Sequence, residues 1–321
     1  MGELSKKIGE QGEKIVRQFL QSIGWHNLSE GETLPCIEPK KHSKGNDTPR
    51  RTHGIDLYYS YRSQLESFTL NNIIVSVKYS SKPYPTPPTT TFKSHLKDLA
   101  QTVECFSKSE FKNEENKNYE YTGVKKCQDI GILFWLTNNN DSDQDVVSKI
   151  SNIVLDRELK FSVIHIIDNA RASFIYDSIR AIKRKFTKHD IFFHHAFGAS
   201  NFADPSIEKY GTSLPVEYLT SPILPFRIIS KENNNQLFCI SCIESFSEES
   251  AKRLINFASD VSQDWSGDFI LIFSTYNELE DKTAFDRAKR VLGERGSKIN
   301  IEVMSLEGDF RASLLSQLPL F

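Results

Sequence analysis

Asp56 and Lys78 stand near the two ends of a run, RRTHGIDLYYSYRSQLESFTLNNIIVSVKYS at residues 50–80, whose β-branched and aromatic residues predict two strands joined by a polar turn. Cation-assisted cleavage of a phosphodiester needs acids that hold the metal and a positive group near the attacking water or the scissile phosphate. An Asp on one strand and a Lys on its neighbour supply one of each. Two residues before the lysine the chain has the neutral Ser76. A period of two along the second strand puts Ile74, Ser76, Lys78 and Ser80 on one face and Ile73, Val75, Val77 and Tyr79 on the other. Ser76 and Lys78 therefore point together, and the opposite face is apolar enough to pack on a helix. His53 and Gly54, just ahead of Asp56, are expected to shape a close turn.

The elements that must position these residues follow from periodicity. Ile8, Ile15, Val16, Phe19, Leu20 and Ile23 predict a helix over 5–23 that stops at Gly24. On its wheel Glu13 borders the apolar stripe beside Leu20, Glu10 lies toward solvent, and Gly9 and Gly12 fall on the buried side, where they would allow close approach to a sheet. A long polar stretch over 29–52 precedes strands at 55–61 and 72–80, with room for a third around 65–70. SSKPYPTPPTTT must be an extended loop. Phe92, Leu96, Leu99, Val103 and Phe106 mark a second amphipathic helix, FKNEENKNYEYTG is a polar excursion, and CQDIGILFWLTNN is a buried-type strand.

Taken together these features resemble the PD-(D/E)xK nuclease superfamily, in particular restriction-endonuclease-like members with a GExGE helix, a HGID turn and a V-x-V-K strand, over residues 6–138. The resemblance implies a mixed sheet flanked by helices. It also implies Asp56 as a metal-binding acid, Lys78 as the catalytic lysine, Glu13 as the helix acid, Mg²⁺ or Mn²⁺ as cofactor and DNA as substrate. Ser76 departs from the pattern: a neutral hydroxyl is a poor ligand for a hard cation, so Glu13, or more weakly Glu66, would have to compensate, or hydrolysis is slow or absent. The alternative is an inactive nuclease-like scaffold that binds DNA or a partner subunit. By analogy, such a fold fused to a second domain suggests a subunit of a prokaryotic system that defends against phage or plasmid, acting with a protein partner or as a homo-oligomer.

The chain has 321 residues, 38% of them hydrophobic, and a formal net charge of −2. Any attraction to nucleic acid must therefore be local. One basic run precedes Asp56: KKHSKGNDTPRRTH sets Lys40, Lys41, Lys44, Arg50 and Arg51 against the single acid Asp47, a candidate phosphate-backbone contact. No apolar run is long enough to span a bilayer and the start lacks a signal-peptide core, so a cytoplasmic protein without membrane association is expected. Five scattered cysteines argue against a disulfide framework. Cys239 and Cys242 in CISC fall on opposite faces of a strand, and His194 and His195 alternate likewise, so neither pair is expected to share a metal. P-loop, dinucleotide-binding, nucleophile-elbow, HExxH and paired CxxC motifs are missing. We expect the nuclease-like domain over 1–140 and, over 141–321, a C-terminal α/β domain in which buried strands alternate with amphipathic helices.

Overall fold

Ile15, Val16, Phe19 and Leu20 are all buried because, in the computed structural model of the chain, their spacing puts them on one face of α1 (Gly2–Ser22). Gly24 ends the helix in the left-handed region, φ +90°, and donates its N–H to Gln21 O at 3.1 Å. The structure describes residues 2–43, 48–139, 145–195, 208–262, 265–293 and 299–306. Among the described residues no helix is long and apolar enough to cross a membrane. The chain divides into two units, Met1–Ala172 and Ser173–Phe321.

In the first unit α1 is followed by β1 (Ser29–Pro35), β2 (Thr52–Arg62), β3 (Thr69–Ser80), α2 (Thr89–Phe106), α3 (Glu110–Lys117), β4 (Lys126–Thr137) and β5 (Val163–Ile167). They form a mixed sheet of order β1-β2-β3-β4-β5, antiparallel from β1 to β3 and parallel from β3 to β5. Helix α1 packs on β3 and α2 on β4. The two faces of β3 divide as its alternation predicts. Ile74 joins Leu96, Leu99 and Phe106 of α2 and Leu133 and Trp135 of β4 in one core. On the other face Gly12 lies against Tyr79 so closely that a Cβ at residue 12 would come within 2.4 Å of the Tyr79 Cβ. β4 reads as a continuous apolar run because it is covered on both sides.

Several sequence-based expectations are corrected. β1 lies within the stretch read only as polar; it is an edge strand in which Leu34 alone is deeply buried, so it carries no apolar run. No separate strand occupies 65–70. The Ser63 hydroxyl accepts the Leu65 and Glu66 N–H groups in a turn, and Thr69 and Leu70 already begin β3. His53 and Gly54 form no turn; they sit inside β2, opposite Leu34 and Thr33. Of the two helix glycines Gly12 alone makes a close approach, since nothing lies within 4 Å of a Cβ at Gly9. The polar excursion contains α3, whose N-terminus is capped by Ser109 Oγ. Because β5 pairs with β4, the border expected at 140 moves to 172.

The second unit is a distinct mixed-sheet α/β domain. α4 (Asn169–Lys185) leads into it, followed by β6 (His189–His194), β7 (Tyr210–Gly211), β8 (Ile223–Ser230), β9 (Gln236–Cys242), α5 (Glu248–Ser262), β10 (Asp268–Phe273), α6 (Glu278–Lys289) and β11 (Ile301–Ser305). The strand order is β11-β10-β9-β8-β6-β7, with β9, β10 and β11 parallel and the rest antiparallel. Cys239 and Cys242 are buried free thiols.

The contact at Gly12 yields a test. Gly12→Ala forces α1 away from β3 and should destabilise by about 1–3 kcal/mol, as overpacked cores do. Gly9→Ala should be neutral or gain up to about 1 kcal/mol from helix propensity. Denaturant unfolding of both variants checks the contrast, and equal effects would contradict it.

Candidate functional site

The β2–β3 ladder runs from Arg62↔Leu70 to Leu57↔Val75 and stops there. Asp56, the next residue, turns its carboxylate into the ladder instead: Oδ2 accepts the Val77 N–H at 2.6 Å, and the Ser76 hydroxyl also donates to it. The alternation of β2 breaks at the same place. Ile55 and Tyr58 both join the core under α2, and Gly31, opposite Asp56 in β1, has φ +66°. This kink leaves Asp56 within electrostatic reach of Glu13 on α1 and of Lys78 and Asp98. Glu13, Asp56, Ser76 and Lys78 are thus brought together at one end of the sheet. Glu66 is not: it lies in the β2–β3 turn, at the other end of β3, and is hydrogen-bonded by Lys126 and Gln128.

Burial pushes the Asp56 carboxyl above its ordinary value, against the Val77 N–H and the Lys78 charge that hold it down. Glu13 is raised too, first by burial and then by the neighbouring Asp56 charge. Two carboxyls of raised proton affinity therefore lie within electrostatic reach of each other.

The acid that organises these charges, Asp98, carries no signal in the sequence. Asp98 on α2 receives Lys78 Nζ at 3.4 Å and Arg50 Nη1 at 2.6 Å on its two oxygens. One turn earlier His95 borders the same groups; burial, helped by Lys78, lowers it to about 4, so it is neutral at pH 7. In sequence both look like polar residues on the outer face of an amphipathic helix, and nothing in their spacing marks them. The basic run is similarly reassigned in part. Arg50 is 8% exposed and its Nε donates to Thr52 O at 2.9 Å, while Lys41 Nζ holds both oxygens of Glu104 at 3.1 Å. These two cations serve the fold. Lys40 and Arg51 are exposed, and Lys44 lies outside the described residues.

The cleft does not fit a resident hard divalent cation. One Asp56 oxygen is engaged by the backbone, residue 76 is neutral, and Asp98 is engaged by two cations. The expectation of Mg²⁺ or Mn²⁺ is overturned by what the fold assembles instead. Among the described residues, the one group of three or more metal-ligating side chains is Cys36, His42, His53 and Cys105, whose ligand atoms all lie within 4.8 Å of one another. Two thiols and two imidazoles suit softer metals than oxygen-seeking Mg²⁺ or Mn²⁺. The sequence treats Cys36 and Cys105 as unlinked thiols and His53 as part of a turn. Their partnership depends on β1, the strand that carries no apolar signal.

Residues 1–171 match the family profile described as the GAPS4 protein PD-(D/E)XK nuclease domain. No curated protein matches the chain significantly.

Asp56 gives a pH test with a defined sign. Its folded-state pKa is raised above 3.8, so the folded chain holds this proton more tightly, and stability from this group falls as pH rises through the raised value. Asp56→Asn, whose amide oxygen can still accept the Val77 N–H, should melt higher than wild type at pH 8, and the gain should close as pH falls below 3.8. A variant that melts lower at pH 8 and recovers in acid would contradict the assignment.

Proposed function

Because the chain belongs, through residues 1–171, to the PD-(D/E)XK nuclease superfamily, we propose that its first unit hydrolyses DNA phosphodiesters at the cleft where Asp56 and Lys78 meet. The observation that carries this reading is that the half-buried Asp56 carboxylate lies within electrostatic reach of the Lys78 ammonium at the open end of the β2–β3 ladder. Packing alone has no use for either group there, since each costs desolvation.

The chemistry follows from the groups present. Lys78 Nζ, held in place by Asp98, lies ready to exchange one Asp98 oxygen for a phosphate oxygen while Arg50 keeps Asp98 in position. The ammonium then offsets the negative charge that grows on the phosphate as it is attacked. Asp56, with raised proton affinity, orients the attacking water and takes its proton as oxygen bonds to phosphorus. As the phosphorus–oxygen bond to the leaving sugar breaks, Glu13 is a second carboxyl able to return a proton to the departing oxygen. Exposed Lys40 and Arg51 extend the positive surface along the strand beyond the scissile phosphate.

We further propose that this activity belongs to prokaryotic defence against phage or plasmid DNA, exercised in the cytoplasm together with a partner subunit or a second copy of the chain. One specific observation favours a second reading, an inactive scaffold that binds DNA: Ser76, 9% exposed, replaces a carboxylate with a neutral hydroxyl that is itself bonded to Asp56.

The deciding experiment incubates the full chain, alone and with any protein that co-purifies with it, with supercoiled plasmid and with RNA, in buffers with and without added divalent salt. The nuclease reading expects DNA cleavage that falls at least about 100-fold in Lys78→Ala and Asp56→Asn, the scale of losing one electrostatic or acid–base group, with both variants folded. DNA binding without cleavage in every condition would establish the scaffold instead. In either case Lys40→Ala with Arg51→Ala should weaken DNA binding and reduce the slope of its salt dependence; an unchanged slope would remove these residues from the interface.

A further inference from the structure

We propose that Cys36, His42, His53 and Cys105 bind one zinc ion, which fastens the segment between β1 and β2 to the last turn of α2. Cys36 follows the end of β1, His42 lies in the turn beyond it, His53 is in β2, and Cys105 is near the end of α2. His42, His53 and Cys105 are completely buried.

The separations are those of a coordination tetrahedron. Zinc bonds of about 2.0–2.1 Å to nitrogen and about 2.3 Å to sulfur place two nitrogens about 3.35 Å apart and a nitrogen and a sulfur about 3.55 Å apart. His42 Nδ1 and His53 Nε2 are 3.3 Å apart, and His42 Nδ1 lies 3.4 Å from Cys36 Sγ and 3.5 Å from Cys105 Sγ. Hydrogen bonding within the group does not account for this convergence. A neutral imidazole nitrogen has one lone pair and can satisfy one donor, yet three groups close on His42 Nδ1.

The outer ring atoms fix which nitrogens face inward. His42 Nε2 lies 3.2 Å from Glu104 Oε2; a carboxylate only accepts, so Nε2 carries the proton and Nδ1 presents its lone pair. His53 Nδ1 lies 3.3 Å from Thr102 Oγ1, and that hydroxyl gives its own hydrogen to Asp98 O at 2.8 Å. Nδ1 of His53 is therefore the donor, and Nε2 also turns a lone pair into the cluster. Two lone pairs facing each other at 3.3 Å repel unless a cation lies between them. A carboxylate and a hydroxyl behind the two imidazoles are the outer partners that orient histidine ligands on zinc. With all four protein positions filled, the site has no place for substrate, so its role is structural.

The consequence reaches the cleft without depending on its activity. Residues 36–53 carry Lys41, which pairs with Glu104, and Arg50, which pairs with Asp98. Fixing both ends of the segment to α2 sets the position of the Arg50 guanidinium that secures Asp98 against Lys78.

The test uses the intact chain purified without chelator from zinc-replete medium. Elemental analysis should find about one zinc per chain. Replacement by Co²⁺ should give intense visible bands of tetrahedral cobalt and near-ultraviolet thiolate-to-cobalt absorption. Cys36→Ser, at the half-buried ligand, and His53→Gln should each lose most of the metal, whereas Cys127→Ser, at an exposed cysteine elsewhere, should keep it. If the variants do not fold, the wild-type cobalt spectrum decides alone. Zinc below about a tenth of an equivalent with no thiolate–cobalt band would overturn the proposal. So would a Cys36–Cys105 disulfide found by mass spectrometry, or full zinc retention in folded Cys36→Ser and His53→Gln.

Discussion

The placement of β3 between β2 and β4 is the constraint on which the first unit depends. Its pairing with β4 holds over twelve positions, from Thr69↔Lys126 to Ser80↔Thr137, and the Tyr79 ring lies where α1 has no side chain, at Gly12. A slip of one residue would exchange the faces of Lys78 and Tyr79. The ring would then enter the side lined by Asp98 and His95, and the ammonium would be driven against the buried face of α1. The same small-residue contact that lets α1 approach the sheet therefore keeps Lys78 beside Asp56 and Asp98. Packing and chemistry share one register.

Around that strand the charges are arranged in a chain. Arg50 holds Asp98, Asp98 holds Lys78, and Lys78 offsets part of the cost of burying Asp56. Asp56 gains further from the Val77 N–H that the opening of the ladder sets free. Each link comes from a different element: the segment before β2, α2, β3 and β2. The outer shell of the thiol–imidazole cluster touches the same chain, because Thr102 bonds both to His53 and to the backbone oxygen of Asp98. The Cys36, His42, His53 and Cys105 cluster and the Lys78 ammonium thus meet through one turn of α2.

The legible parts of the sequence were those with a period. The faces of β3, the stripe of α1 with Glu13 at its border, the apolar run of β4 and the alternation of strands and helices in the second unit all followed from spacing. β1 was not legible, because an edge strand with one deeply buried residue shows no alternation of apolar groups. Missing it hid the link between Cys36 and His53, and the metal-ligating cluster was lost with it. Asp98 and His95 were hidden for another reason. On a helix wheel a polar residue facing solvent and one facing a cleft are the same symbol, and only the approach of Lys78 and Arg50 from elsewhere in the chain separates them. The basic run reads as a surface by composition, whereas two of its cations are spent on carboxylates about fifty and sixty residues further along, the half-buried Asp98 and the buried Glu104.

The most direct measurement is a crystal structure of the full chain with a DNA duplex whose scissile linkages resist hydrolysis. A phosphate is expected at the open end of the β2–β3 ladder, with Lys78 Nζ within hydrogen-bonding distance of one of its oxygens, Asp98 still held by Arg50, and the Asp56 carboxylate facing phosphorus. DNA bound elsewhere, with Lys78 and Asp98 still paired and no phosphate near Asp56, would contradict this placement.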